Sequence, residues 1–163
     1  MSVASPERPI RISRRSWRSL VAELATRGGG RRESGAALLA KQDEPTMVTR
    51  IVYFDDVDGR SLRGGIDVRF EGMVALTDIC RRDGLTVIAD AHTHPGIWVG
   101  QSRIDQAHPM VALPGHIALI LPNFAQGKVR FREVGVHEYR GEAGWIAHTH
   151  ESASQRFRIG RWP

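Results

Sequence analysis

Residues 85 to 91, Leu-Thr-Val-Ile-Ala-Asp-Ala, run directly into His92-Thr93-His94 and are stopped by Pro95-Gly96. The run is apolar and β-branched enough for a buried strand, which commits the chain to a fold built around a central sheet. Pro-Gly does not continue a strand interior. Positions two apart on a strand point to the same side, so His92 and His94 face one common space at its end. Seven residues after His94 comes Ser102-Arg103-Ile104-Asp105, where the pattern predicts the start of a helix. Ser102 and Asp105, three residues apart, are neighbours on one helical face. Two neutral imidazoles and a carboxylate can hold a metal ion and leave a fourth position open, the arrangement of a catalytic site rather than a closed structural one. Nitrogen and carboxylate donors in a four-coordinate site favour Zn2+, one per chain.

A water activated in such a site needs a base from elsewhere in the chain. The whole pattern, His-x-His, seven residues, Ser-x-x-Asp, with a glutamate some tens of residues upstream, resembles the JAMM motif of the MPN or JAB-domain metalloisopeptidases. In that family the glutamate lies beside an early strand, and Glu33-Ser34-Gly35 ahead of Ala36-Ala37-Leu38-Leu39-Ala40 is similar to that element. The resemblance runs over roughly residues 13 to 147. It implies that His92, His94 and Asp105 are zinc ligands, that Glu33 is general base and acid, and that Ser102 helps stabilise an oxyanion. Two departures stand out: Gln101 where proline is frequent, and Thr93 where serine is common. Neither carries an assigned chemical role. Glu23, Glu44 and Glu71 also precede the histidines, but only Glu33 has the Glu-Ser-Gly context before an apolar run.

The resemblance further implies a zinc-dependent isopeptidase or peptidase that cuts after the C-terminal tail of a ubiquitin-like protein, working beside activating and conjugating enzymes. An extended tail ending in glycine would add to an edge strand through main-chain hydrogen bonds. The short span between Asp105 and His116 leaves little room for an insertion that reads polyubiquitin linkage, so a minimal prokaryotic form is expected. The loop Gly96 to Gln101, with Ile97, Trp98 and Val99, either contacts the tail or is anchored by Trp98. Two other readings remain open: a noncatalytic MPN-type scaffold, and a metal-dependent hydrolase of small amides. All five motif positions are filled here, which favours an enzyme.

A second His-x-His, His148-Thr149-His150, lacks the rest of the pattern, since Arg158 and Arg161 stand where Ser and Asp would be needed. It reads as part of a solvated C-terminal segment. His108 and His116 read as polar residues near a helix end or a strand start.

At 163 residues the chain suits one domain with a sizeable core. There is no run of 18 apolar residues to span a membrane, and Met1 to Arg15 lacks the apolar centre of a signal peptide, so a cytoplasmic protein is expected. Cys80, alone in the chain, is expected to pack. Formal charge is +5, and of 23 cationic residues all but Lys41 and Lys128 are arginine. The arginines are scattered, with no aromatic-interleaved patch, which argues against nucleic acid. The lysine shortage fits an enzyme that avoids modification by its own pathway, or codon bias; the charge itself fits an acidic protein partner.

The remaining pattern predicts a mobile arm over residues 1–12, a helix from Ser13 to about Thr26, and strands at 34–41, 47–54 and 63–68. A helix follows at 70–82, then the motif strand, a helix from Ser102 to about Met110, and a strand from His116 to Pro122. Later strands are predicted at 127–133, 134–139 and 143–148, with a tail over 151–163. The fold class is α+β, a central mixed sheet with two or three flanking helices and a zinc site at a strand end, occupying residues 13–150. The resemblance adds that this is the cytidine-deaminase-like or MPN type.

Overall fold

A computed structural model describes residues 8–63 and 65–162. In chain order they form β1 (Ile10–Ser13), α1 (Arg14–Gly28), β2 (Gly35–Lys41), β3 (Arg50–Tyr53), α2 (Phe54–Val57), α3 (Phe70–Asp83) and β4 (Leu85–Thr93). There follow α4 (Arg103–Ala107), β5 (Ile117–Leu121), β6 (Gly135–Tyr139), β7 (Trp145–His148), α5 (His150–Arg156) and β8 (Phe157–Gly160). Six strands make one sheet in the order β3-β2-β4-β5-β6-β7, with β4 and β5 parallel and the other pairs antiparallel. The class is α+β with a mixed central sheet, as the alternation of elements predicted. Among the described residues no helix is long and apolar enough to cross a membrane.

The sheet is buried on both faces. One face packs Ala36, Leu38, Ala91, Leu119 and Val136 against Trp17, Leu20 and Leu24 of α1. Those three recur at helical spacing, and burying each stabilises the fold by about 1.5–3 kcal/mol relative to exposure. Ser13 caps α1 by accepting from Ser16 N at 3.0 Å, and Gly29, at φ 60, closes its other end through Ala25 O. The opposite face packs Ala37, Leu39, Val52 and Phe54 against Leu76 of α3, with Cys80 half-buried at the margin. This second face carries the site.

Both predicted ends of the domain need correction. Residues 10–12 are not a mobile arm: β1 pairs in parallel with β8, Ile12 opposite Ile159, and Ile10, Ile12 and Phe157 are buried in the core. Residues 1–7 of that arm lie outside the described residues. The predicted tail likewise holds α5 and β8, and the pairing spans almost the whole sequence, so no local periodicity announces it. The predicted strand at 63–68 is absent among the described residues because Asp58 ties the segment into a loop. Its carboxylate accepts from Arg60 N and Arg69 N, both at 3.0 Å, while Asp67 N donates to Ser61 O. At 127–133 a single turn, Phe131–Glu133, replaces the strand, because the Glu133 carboxylate accepts from Arg130 N at 2.8 Å and closes the backbone locally. The helix from Ser102 ends at Ala107, ahead of Pro109, which disfavours helical geometry in His108.

Candidate metal centre

Asp90 and His92 on β4 and His94 just past its end occupy alternate positions, and Asp105 of α4 comes up against the two histidines. His92 Nε2 and His94 Nε2 are 3.3 Å apart. Asp105 Oδ1 is 3.6 Å from His92 Nε2, and Asp105 Oδ2 is 3.5 Å from His94 Nε2. Bonds of about 2.0–2.1 Å from a tetrahedral metal put its ligand atoms about 3.3–3.4 Å from one another. The three donor atoms stand close to that spacing, so the residues fit a divalent ion of zinc's size and preference. Both histidines are buried and Asp105 is half-buried.

Each donor is aimed by a second contact. Asp105 and Ser102 form a capping box at the start of α4: Ser102 N donates to Asp105 Oδ2 at 2.7 Å, and Asp105 N donates to Ser102 Oγ at 3.1 Å. His94 Nδ1 donates to Trp98 O at 3.2 Å, a tautomer that leaves the Nε2 lone pair facing the site. The Trp98 ring stacks on His94 with centroids 5.3 Å apart. It is also 60% exposed, so the same side chain anchors the loop and forms its outer surface.

That loop rests on β6. His137 Nε2 donates to Val99 O at 2.8 Å, and a Cβ on Gly135 would fall 2.1 Å from Val99 O, so only glycine admits the loop there. From the other side Phe124 N donates to His94 O at 2.8 Å, and Asn123 N to Gly96 O at 2.9 Å. Asn123, Phe124 and Ala125 adopt φ of 53, 53 and 57, a left-handed turn that costs about 1–2 kcal/mol per residue without glycine. The turn is held where it is by the bonds it gives to the histidine segment.

The site attracts positive charge. Burial works against a charged His92, but the carboxylates of Asp105 and Asp90 outweigh it and raise its pKa to about 9. Burial pushes Asp105 up, and His92 and His94 more than reverse this, holding it well below the usual carboxylate range. A metal ion entering here displaces protons from the place its own charge would take.

Glu33 lies two residues ahead of β2, whose first residue pairs with β4 beside the site. Gly35 lies opposite His92, Thr93 N donates to Ser34 O at 2.9 Å, and Ser34 N donates to Thr93 Oγ1 at 3.0 Å. Counting back along the antiparallel register, Glu33 is the position that corresponds to His94, one step beyond the paired residues. Its carboxylate has no hydrogen bond or ion pair among the described residues, and it is half-buried. Gly35 is bare for a reason: a Cβ there would lie 2.4 Å from the Phe54 ring. Phe54 fills that space and helps line a cavity of about 320 Å3 that also meets Met73, Asp90, His92, Ile104 and Asp105.

The sequence alone gives no site role to three buried residues behind the site, and marks only His116, as a polar residue near a strand start. Asp90 was read only as part of a strand, though it alternates with His92 and His94; His116 and His137 have no partner nearby in sequence. His148, expected on a solvated segment, is instead seated on the fully buried Glu138, Nε2 2.7 Å from Oε2. His150 and His108 are exposed.

No family model matches this chain. It is similar to a protein of Sinorhizobium fredii described as a probable metalloprotease, 34% identical over 62 residues. That match spans 38% of this chain and only 38% of the relative's length. The fold is shared with a protein of Desulfitobacterium hafniense at a TM-score of 0.64 and 15% identity, covering 94% of both chains. A protein of Salinibacter ruber superposes at 0.58 with 14% identity, covering 94% of this chain and 92% of its own. A JAB1/MPN domain protein of Archaeoglobus fulgidus gives 0.47 and 14%, covering 86% and 96%.

Proposed function

We propose that this chain is a metal-dependent hydrolase of the JAMM type, a zinc isopeptidase or peptidase that cuts the amide bond after the C-terminal tail of a ubiquitin-like protein. The observation that carries the reading is the trio of His92, His94 and Asp105 donor atoms, 3.3 to 3.6 Å apart. The likeness to a probable metalloprotease supports the hydrolytic class. The tail of a ubiquitin-like protein follows from the motif's resemblance. When bound, zinc would supply a Lewis acid for the scissile carbonyl and lower the pKa of water to about 7.

The chain's own residues supply the remainder. Glu33 takes the proton of the attacking water and returns it to the departing amine. Ser102 Oγ already accepts from Asp105 N, so its hydroxyl hydrogen is free to be donated to the developing oxyanion. The Trp98 ring covers His94 and keeps solvent from that side of the ring.

The test is incubation of zinc-loaded protein with ubiquitin-like proteins carrying C-terminal extensions or lysine conjugates. Wild type is expected to release the extension. Glu33→Gln is expected to keep its zinc and lose turnover by about 100-fold or more; wild-type activity in that variant would remove Glu33 from the mechanism. The cavity of about 320 Å3 beside His92 favours a second reading, a hydrolase of small amides, because it is of ligand size. Turnover of small acyl amides with none of any folded conjugate would select it.

A further inference from the structure

Asp90 and His116 stand behind His92 and play no part in the reading above. Both are buried, at 7% and 4% exposure. The parallel register pairs Ala89 with Ile117, which brings His116, just ahead of β5, beside Asp90. Asp90 Oδ1 is 2.5 Å from His116 Nε2, and Asp90 Oδ2 is 4.0 Å from His92 Nδ1. The second distance exceeds a hydrogen bond but is electrostatically short in a buried place.

Hydrogen-bond accounting orders the protons along this row. His116 Nδ1 is buried without a partner. A proton there would be an orphaned donor, so the ring carries its proton on Nε2 and gives it to Asp90. Asp90 is then an acceptor only, and its free oxygen faces His92 Nδ1. That ring nitrogen therefore keeps its proton when a metal ion displaces the one on Nε2, and the Nε2 lone pair is left for the ion. Metal-bound histidines are commonly oriented from behind by a carboxylate in this way.

We propose that Asp90 and His116 are a positioning pair for the metal centre: they fix the ring orientation and tautomer of His92 from behind and thereby strengthen retention of a divalent ion. The proposal rests on the reading of His92 as a ligand. Asp90 acts through His92, and His116 acts by holding Asp90.

Zinc affinity would be measured by competition with a chelating dye for wild type, Asp90→Asn, His116→Gln, the Asp90→Asn/His116→Gln double variant and His92→Ala. Thermal unfolding of each metal-free protein would run alongside. Both single variants are expected to bind zinc about 10- to 100-fold more weakly. The double variant should be no weaker than Asp90→Asn alone, because the two residues act as one unit. In the metal-free proteins, at a pH high enough to leave the ring neutral, imidazole nitrogen shifts of His92 should show a mixed tautomer in Asp90→Asn and a single Nδ1-protonated form in wild type. His116→Gln leaves β4 untouched and reports on the pair if Asp90→Asn folds poorly. Affinities within twofold of wild type in both single variants, with binding abolished in His92→Ala, would overturn the pair while leaving the metal centre standing. Losses that add in the double variant would also overturn it. A wild-type protein that binds no zinc would defeat the underlying reading first.

Discussion

Ser102 has two ties to Asp105: its hydroxyl caps α4 through Asp105 N, and its own N–H donates to the carboxylate that stands at the candidate metal centre. Ser102→Ala should therefore lower stability by about 0.5–2 kcal/mol through the lost cap. On the proposed mechanism it should also lower turnover by about 100- to 1,000-fold through the lost oxyanion donor. Thermal unfolding and kcat measured on the same sample separate the two, and a stability loss with unchanged kcat would leave Ser102 only the cap. Gly135→Ala is the sharper test of the loop that carries Trp98. Its new Cβ would meet the Val99 carbonyl at 2.1 Å, and backbone cannot yield that far in place. We expect a lower melting temperature and weaker zinc binding, since Trp98 O orients His94. His92, His94 and Asp105 were legible in the sequence because one strand end and one helix start bring them together within a short stretch. Asp90, His116 and His137 were not, because each takes its meaning from a partner on another strand or in a distant loop.

Elements with local signals were the easiest to foresee. α1 has a serine cap, an apolar stripe and a closing glycine, and α3 ends on Gly84 at φ 64. The strand expected at 63–68 alternates correctly but has no strand to pair with, and Asp58 binds its backbone instead. β8 failed to register for the opposite reason: Phe157 begins a short strand after a polar helix, and its partner lies at Ile10. Phe157 is fully buried and packs against Trp17 and Phe131, with ring centroids 6.2 and 6.0 Å away. Phe157→Ala should cost about 3–5 kcal/mol in urea unfolding. A cost under about 1 kcal/mol would restore the tail to the dispensable segment that the sequence predicted.

Across the whole molecule, arginines tie elements together by meeting carboxylates. Arg27 on α1 reaches Asp55 and Asp56 of α2, Arg50 joins β3 to Asp83 at the end of α3, and Arg156 of α5 meets Glu138 on β6. Exposed pairs of this kind are worth little singly, but buried carboxylates make stability depend on pH. Hydrogen bonds from Arg69, with those from the backbone, hold the Asp58 carboxyl far below its usual range. Burial pushes Glu138 up, yet His148 and Arg156 pull it below its usual value. Both carboxyls have folded values under their unfolded ones of about 4, so this stability is complete above that pH and lost as pH falls toward the folded values. The gap in melting temperature between wild type and Asp58→Asn should accordingly narrow from pH 7 to pH 3. A gap that stays constant would mean that the Asp58 charge contributes nothing.

The pairing of β1 with β8 bears on how the molecule is made. Ile10 and Ile12 leave the ribosome well before Phe157, their neighbour in the finished core. Until then an apolar strand stands without its partner, and a growing chain presents the kind of unpaired edge that invites other chains or a chaperone. Pairings between segments so remote in sequence slow folding, and this one cannot form until both segments have left the ribosome.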